Sequence, residues 1–456
     1  ASEDGDIFFT GVCTATTFTG SGANLTNLPA ANVTGTLPAI SGANLTSLTA
    51  GNLTGALPAI SGANLTGIAA TDNVRTGILD VAGIATFRSD VNIPNINGGQ
   101  IGGRRNIIIN GAMTVQQQMN ANTTGGQNLT GIKTVDRFGL YFSGTDNSPT
   151  QIPVDVAAGT TPYTLGFRRA FKVINADQTS GAGADDYIYI GYKVEAQDIA
   201  KSGWNYLSSS SFITLSFWIK SSVAQNFNGH LTSQDGTAQN YPFQTGSLSA
   251  DTWTKVTKTI SGNSNLTFNN DNGFGLFIVI AAFNGTNRTG TVTNDAWAAY
   301  ASGSTTNDDT STWYTTDDAT LEITGVQLEV GSTATVFEHR SAGEDLHLCH
   351  RYFYSMGGGT SSTMIAMGMK GGTTSARYFI KYPNTMRATP TFTISGLKVD
   401  SETTGSYQNI NSISDTLGNE KSCRLVLACD SSASQGSPCG LLAGGTTSYL
   451  RGSAEL

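Results

Sequence analysis

The chain has 456 residues, a net charge of −8, and charged side chains at only 13% of positions, which is about half the usual share. The acidic balance argues against nucleic acid as a partner. The absence of an apolar run of about 18 residues argues against a membrane span. Aromatic and β-branched residues are plentiful, so the composition is not that of a disordered chain. With 54 glycines and abundant Thr, Ser and Asn, it predicts an all-β protein with many turns.

The phrase SGANLT occurs three times near the start of the chain, at 21–26, 41–46 and 61–66. Apolar residues follow the same cycle of steps, 3, 5, 4, 3 and 5, which repeats every 20 residues. The Gly, Pro and Thr residues in each cycle disfavour a helix. The apolar positions of the repeat are Leu25, Leu28, Val33, Leu37, Ile40, Leu45, Leu48, Leu53, Leu57, Ile60 and Leu65.

One copy of this repeat has too few apolar residues to build a core of its own. Odd steps move a strand residue to the opposite face, so short extended pieces must alternate with turns. Three chains wound around one axis would share a core and cover one another's strand edges. We therefore predict that residues 1–71 form an intertwined homotrimeric β shaft with those apolar residues as its core. A flexible linker is the alternative. The Asn-Leu-Thr phrases, which also match glycosylation sequences, are interpreted as turn and strand residues.

Residues 72–103 are interpreted as a neck that ends in the Gly-rich stretch NGGQIGG. Longer strands follow. ITLSFWIK (213–220) alternates cleanly, YIYIGYKVE (187–195) is a second strand, and GLFIVIAAF (275–283) is apolar enough to be buried on both faces.

In LEITGVQLEV (321–330) the alternation slips by one residue at Gly325, which indicates a β-bulge. These strands predict a jelly-roll β-sandwich over residues 104–341. One short helical turn is expected at EAQDIAKSG (195–203). Residues 342–456, with short strands in ARYFIKYP and TPTFTISGLKV, predict a small C-terminal β domain.

Four segments occur in this order: RRNIIINGAMTVQQQ, TVDRFGLYFSG, KVEAQDIAKSG with ITLSFWIKSS, and ITGVQLEVGSTATVFEHRSAGEDLHLCHRYFY. Together they resemble the carbohydrate-binding-module-like jelly roll of bacteriophage tail fibres, with Phe138 where that family often has Trp. The shaft phrases and FFTGVCTATTFTGSGANLTNLP are similar to repeats in fibre-like proteins of phages of marine cyanobacteria. The resemblance covers about residues 8–355. It implies a virion fibre that contacts the host surface, and it does not identify a ligand.

We therefore expect a homotrimeric tail fibre, assembled in the host cytoplasm, that binds host surface polysaccharide or lipopolysaccharide and joins other virion tail proteins. Neither a cofactor nor a nucleic-acid partner nor membrane insertion is expected. The alternatives are a purely structural head or baseplate fibre without receptor binding, and a polysaccharide-degrading tailspike. The sequence has no Ser-His-Asp signature, Gly-rich phosphate loop or Cys-x-x-Cys pair, so no catalytic residue is assigned and no enzyme is predicted.

The stretch NDAWAAYASGSTTNDDTSTWYTTDD places Trp297, Tyr300, Trp313 and Tyr314 among small polar residues and acids. Flat aromatic faces beside polar groups suit a sugar-binding surface. These four residues are therefore the candidate carbohydrate-binding residues. The alternative is that they cover a sandwich edge or form a subunit contact.

Three acidic pairs, Asp185–Asp186, Asp308–Asp309 and Asp317–Asp318, could ligate calcium, although adjacent acids in loops are usually solvated. The stretch 347–350, His-Leu-Cys-His, could offer soft ligands, but a strand would place its two His residues on opposite sides. No metal site is therefore predicted. The five cysteines, at 13, 349, 423, 429 and 439, form no recognisable disulfide pattern. Free thiols are expected, and a 423–429 or 429–439 bridge is the alternative.

Overall fold

The computed structural model describes residues 10–17, 19, 105–119, 126–358, 360–400, 407–430 and 434–456. The predicted shaft core, from Leu25 to Leu65, and the predicted neck lie outside these residues. The chain divides into two compact units, Ala1–Thr86 and Phe87–Leu456. All the strands and helices below belong to the second unit.

In the described part of the chain, twenty strands and three short helices are present, which confirms the predicted all-β class. No helix there is long and apolar enough to span a bilayer. The helices are α1 (Thr161–Thr164), α2 (Ala196–Ala200) and α3 (Ala342–Cys349). Helix α2 lies where the sequence predicts a helical turn.

Eleven of the strands form two antiparallel sheets that pack face to face as the predicted jelly-roll β-sandwich. The strands are β1 (Phe138–Ser143), β2 (Thr150–Asp155), β3 (Arg169–Ile174), β4 (Tyr187–Glu195), β5 (Phe212–Ser221), β6 (Asn226–Ser233), β7 (Gln239–Ser247), β8 (Thr254–Ser261), β9 (Phe274–Asn284), β10 (Ala298–Ala299) and β11 (Thr320–Val330). One sheet has the order β1-β4-β9-β6-β7-β10 and the other β2-β3-β11-β5-β8.

The sandwich core follows from alternation along the strands, because successive side chains point to opposite faces of a sheet. In β5, Ile213, Leu215, Phe217 and Ile219 are all fully buried between the sheets, as their spacing predicts. Strand β9 is buried along most of its length, which also agrees with its continuous apolar sequence.

The predicted bulge in β11 is present. Its pairing with β5 shifts register between Thr324 and Gln327, and Gly325 has a φ of +63°, a conformation that side chains other than glycine rarely adopt. A bulge leaves ladder groups unpaired. Asn106 satisfies them, because its Nδ2 donates to the Val326 carbonyl at 3.1 Å and its Oδ1 accepts from the Leu328 amide at 3.0 Å.

The remaining nine strands form the C-terminal part, where a three-stranded sheet, β12-β20-β15, adjoins a closed barrel, β13-β14-β18-β17-β16-β19. They are β12 (Phe353–Gly357), β13 (Met364–Gly372), β14 (Ser375–Lys381), β15 (Thr391–Ser395), β16 (Leu397–Asp400), β17 (Gln408–Gly418), β18 (Ser422–Cys429), β19 (Pro438–Ala443) and β20 (Tyr449–Ser453).

The barrel core holds a polar contact as well as apolar side chains. Tyr378, Leu425 and Leu441 are buried inside it, and Lys370, which is 1% exposed, donates from Nζ to the Cys429 sulfur at 2.9 Å. All five cysteines are free, Cys13 exposed and the other four buried. Five apolar side chains of the described C-terminal strands are instead exposed: Met364, Met367, Met369, Phe379 and Leu417.

The stretch 347–350 lies at the end of α3, so the expectation of a strand there is wrong. Ser341 begins the helix with a capping box, since its hydroxyl accepts from the Glu344 amide at 3.3 Å and its own amide donates to the Glu344 carboxylate at 2.8 Å. The Ser-x-x-Glu spacing is a helix-start signal. The stretch 347–350 therefore lies at the end of a helix that this signal starts.

Two arginines, Arg137 buried and Arg351 partly exposed, join the sandwich to the C-terminal part. Arg137, 2% exposed, lies with its guanidinium 3.5 Å from the centre of the Tyr352 ring, forms an ion pair with Glu455, and donates to the Lys193 carbonyl at 2.6 Å. Arg351 makes a two-bond contact with Glu195, at 2.6 and 2.7 Å.

The contact between Arg351 and Glu195 also affects the pKa of the Glu195 carboxyl group. Burial acts to raise the pKa of Glu195, but its bonds to Arg351 hold that pKa below the usual value. A carboxylate with this environment stays charged and paired at neutral pH, so the contact persists across the physiological range.

Replacing Arg137 by Met should lower the free energy of unfolding by about 3–5 kcal/mol, because it leaves the Glu455 carboxylate without its buried partner. The measurement is denaturant unfolding followed by tryptophan fluorescence. The control is Arg169→Met, which breaks the exposed pair with Asp155 and should cost less than about 1 kcal/mol. Equal losses in the two variants would contradict the structural role of Arg137.

Candidate glycan-binding site

The outer face of the six-stranded sheet carries a row of aromatic side chains. In β4, Ile188 and Ile190 point into the core while Tyr187 and Tyr189 point outward and are half-buried. Neighbouring strands add to the row, so that the aromatic strip consists of Tyr141 on β1, Tyr187 and Tyr189 on β4, and Phe274 and Phe277 on β9.

The rings of the strip touch one another in sequence. Tyr187 and Tyr189 stack at 5.2 Å between ring centres, Tyr189 and Tyr141 stack at 5.4 Å, and Phe277 meets Tyr189 edge-on at 6.0 Å. Gly191 makes this packing possible, because a Cβ there would lie 2.8 Å from both the Phe277 and the Tyr141 ring. The strip is therefore a continuous apolar surface held in fixed orientation.

The remaining half of this face is covered by the cover loop, residues 285–319, which connects β9 to β11 and includes β10. Three asparagines on the sheet hold it. Asn240 donates to the Thr305 carbonyl at 2.8 Å, Asn228 to the Asn307 carbonyl at 3.0 Å, and Asn284 to the Thr306 hydroxyl at 3.2 Å. These amides lie on β6, β7 and β9. The cover loop therefore lies over the part of the face beside the aromatic strip.

A cleft of about 280 Å³ lies between the aromatic strip and the cover loop. Its apolar lining comes chiefly from Tyr189, Phe274 and Phe277 on the sheet side and from Tyr300 on the loop side. Its polar lining residues are His230, Thr232, Gln234, Asn284, Arg288 and Thr305. Flat apolar faces next to several hydrogen-bonding groups match the chemistry of a sugar, which has C–H patches and hydroxyl groups.

Two cationic or potentially cationic side chains lie at the cleft. The Arg288 guanidinium stacks over the Tyr187 ring at 3.9 Å. Burial, with a smaller contribution from the Arg288 charge, lowers the pKa of His230 to about 4. The imidazole is therefore neutral at physiological pH and has one N–H to donate.

Where the cover loop meets β6, the Asp309 carboxyl of the loop contacts the Asn228 amide of the sheet. Asn228 Nδ2 contacts Asp309 Oδ1, while Asn228 Oδ1 and Asp309 Oδ2 are buried without a partner. Burial raises the pKa of Asp309 to about 7. A proton on this carboxyl would supply the donor that both orphaned oxygens lack.

The four aromatic residues predicted to bind sugar do not lie on one surface. Tyr300, 42% exposed, lines the cleft. Trp297 packs against the core, with its Nε1 donating to the Ser261 carbonyl at 2.8 Å. Trp313 and Tyr314, 0% and 1% exposed, are core residues, so their assignment to a sugar-binding surface is wrong.

The burial of this pair has a physical reason in their hydrogen bonds. Trp313 Nε1 donates to the Thr320 carbonyl at 3.0 Å, and the Tyr314 hydroxyl donates to Asp186 at 2.6 Å. The polar atoms of both rings are satisfied inside the sandwich, which lets two large apolar surfaces leave water.

The acidic pairs considered for calcium serve as hydrogen-bond acceptors in loops. Asp186 also accepts from the Gly183 amide at 2.7 Å, Asp185 from Asn287 at 2.7 Å, and Asp308 from Thr289 at 3.1 Å. Within the described ranges, no group of three or more His, Cys, Asp or Glu side chains is arranged to hold a metal ion.

The sequence contains the signal for the strip in β4. YIYIGYKVE places its tyrosines and isoleucines on alternate sides. Once the isoleucines belong to the core, Tyr187 and Tyr189 must face outward. The residues on other strands, such as Phe277 and Arg288, become neighbours of this pair through the strand order, which no local pattern reveals.

No family model matches this sequence, and comparison with curated proteins finds no match. Among solved structures, the chain is similar to the enzymatically active domain of tailspike protein 4 of bacteriophage CBA120, at 10% identity and a TM-score of 0.26, over 49% of this chain and 21% of that one. The chain therefore spans about a fifth of the tailspike structure.

Two carbohydrate-binding proteins are also similar in structure. The family 11 carbohydrate-binding module of Clostridium thermocellum has 12% identity and a TM-score of 0.23, over 45% of this chain and 96% of that one. A tandem CBM22 domain of Paenibacillus barcinonensis has 10% identity and a TM-score of 0.22, over 70% and 93%. At such low values the likeness supports no function by itself, so the role of the cleft has to follow from its own side chains.

Replacing Asp309 by Asn should change how stability depends on pH. The folded pKa of about 7 exceeds the ordinary value of 3.8. The carboxyl therefore contributes stability that is complete below about pH 4 and is lost as the pH rises through 7. An asparagine cannot ionise, so relative to the native protein the variant should gain roughly 1–2 kcal/mol between pH 5.5 and pH 8.

The measurement is denaturant unfolding of both proteins at the two pH values. Asp308→Asn, which removes the exposed neighbouring carboxyl, controls for the loss of a charge from the same loop. A constant difference between the Asp309 variant and the native protein across this pH range would show that Asp309 ionises normally.

Proposed function

We propose that this chain is a glycan-binding fibre protein of a phage virion, and that the cleft beside the aromatic strip is its sugar-binding site. The observation that carries the proposal is the pairing of a fixed apolar surface, Tyr189 with Phe277, with polar groups of the cover loop across one cleft. Aromatic faces bind the C–H side of a sugar ring, and loop polar groups bind its hydroxyls.

The lining of the cleft favours binding over hydrolysis. A glycosidase of the common kind needs two carboxyl groups on either side of the scissile bond, about 5–10 Å apart. Among the described residues that line the cleft there is no aspartate or glutamate. A polysaccharide-degrading tailspike therefore receives no support from this site.

The fibre assembly is proposed from two independent features. The 20-residue apolar repeat has too little apolar surface to fold as a single copy, and three copies would supply the missing core. The C-terminal strands expose Met367, Met369, Phe379 and Leu417, side chains suited to contacts between copies. Three sites on one fibre would give tight attachment from weak single contacts.

Replacing Tyr189 by Ala should weaken binding of the protein to its host polysaccharide by about tenfold or more, because it removes the ring at the centre of the strip. The measurement is retention of the full chain on immobilised polysaccharide from susceptible cells. Tyr407→Ala, at a tyrosine that is 49% exposed away from the cleft, is the matched control and should bind normally.

A competition experiment with soluble protein distinguishes a receptor-binding fibre from a purely structural fibre. The soluble protein should block adsorption of the phage that carries it, and the Tyr189→Ala variant should block much less. Adsorption that proceeds at the same rate in the presence of excess native protein would favour the structural alternative. Sedimentation equilibrium of the full chain tests the trimer independently.

A further inference from the structure

The charge at the cleft differs from that of the whole protein. The chain carries 33 acidic against 25 basic residues, yet the described lining of the cleft contains Arg288 and no acid. The overall charge of −8 repels anions at long range. A cation without a neighbouring carboxylate is therefore a local feature of this site.

Arg288 has a free hydrogen-bonding edge. Its guanidinium is held flat by stacking over Tyr187 at 3.9 Å, and among the described residues no carboxylate lies within ion-pair distance of it. The arginines at the junction are different, since Arg137 pairs with Glu455 and Arg351 with Glu195. A planar guanidinium with unused N–H groups matches the geometry of a carboxylate or sulfate, which it can bind through two parallel hydrogen bonds.

His230 adds an unpartnered polar side chain to the same cleft. The residue is 8% exposed, it lines the cleft, and neither ring nitrogen bonds to a described residue. Arg288 lines the same cleft of about 280 Å³, so the two side chains face one ligand-sized space. An imidazole and a guanidinium that line one cleft both offer N–H donors, which suits an anion bound there.

From these contacts we propose that the cleft selects a glycan that bears an anionic group, a carboxylate or a sulfate, with Arg288 as its binding residue and His230 as a hydrogen-bond donor. The inference rests on the proposed function, because it specifies the ligand of the same site. The aromatic strip binds the apolar face of the sugar, and the anionic group on a neighbouring carbon or residue reaches the Arg288 edge. Neutral sugars would use the strip alone.

The experiment compares polymers that share one backbone. Native full chain, Arg288→Gln and Arg288→Lys are passed over surfaces of dextran, carboxymethyl-dextran and dextran sulfate, and over polygalacturonate and its methyl ester. Arg168→Gln is the matched control, because the Arg168 guanidinium also stacks over a tyrosine, Tyr163, at 4.0 Å but lies outside the cleft. Circular dichroism verifies that each variant is folded.

We expect the native chain and Arg168→Gln to retain at least one of the three anionic polymers at least about tenfold more strongly than the neutral polymer of the same backbone. The Arg288→Gln variant should lose this preference and keep its residual binding to the neutral polymers. Arg288→Lys should keep part of the preference, because it retains the charge and loses the two-pronged contact. Comparing retention on carboxymethyl-dextran with retention on dextran sulfate shows whether the site prefers a carboxylate or a sulfate.

Two results would overturn the inference. Equal retention of neutral and anionic polymers would show that the site binds glycans without selecting an anionic group. A preference for anionic polymers that survives in Arg288→Gln would show that another residue provides the selectivity. Failure of the native chain to bind any of the five polysaccharides would instead count against the proposed function itself.

Discussion

The geometry of the sandwich face depends on the contacts of the buried Arg137 guanidinium. A buried cation must be paired, and here Glu455 and the Lys193 carbonyl, together with the Tyr352 ring, replace the water it loses. Arg137 directly precedes β1, and its partner Lys193 belongs to β4. The two strands that carry Tyr141 and Tyr189 are thus fixed to the C-terminal part of the chain. The contacts of Arg137 therefore connect the aromatic strip to that part.

The division of the outer sheet face into a covered and an open half follows from side-chain type. Asparagines on β6, β7 and β9 satisfy backbone groups of the cover loop, so the polar half of the face is buried under it. The aromatic half offers no such bonds and remains open to solvent. An edge between these halves is where apolar and polar groups meet, which is what a sugar-binding cleft requires.

The sequence predicts the strands well and the site only in part. Alternation identifies β4, β5 and β11, a continuous apolar run identifies β9, and the slip at Gly325 locates the bulge, because these patterns are local. The Ser-x-x-Glu spacing at the start of α3 is a local signal of the same kind. Trp313 and Tyr314 are misplaced because a polar sequence context does not reveal that Asp186 and the Thr320 carbonyl take up their polar atoms. The meeting of Tyr189 with Arg288 depends on strand order and a long loop, which lie beyond any short-range pattern.

The C-terminal barrel closes on itself, and this has a consequence for crowding. Open sheets can recruit a strand from a nearby molecule through unpaired backbone groups. In β13-β14-β18-β17-β16-β19 each strand has a neighbour on both sides. Copies held side by side can then touch through their side chains, including the exposed Met367 and Phe379, without fusing into a shared hydrogen-bonded ladder. The barrel itself therefore offers a neighbouring copy side chains and no open strand edge.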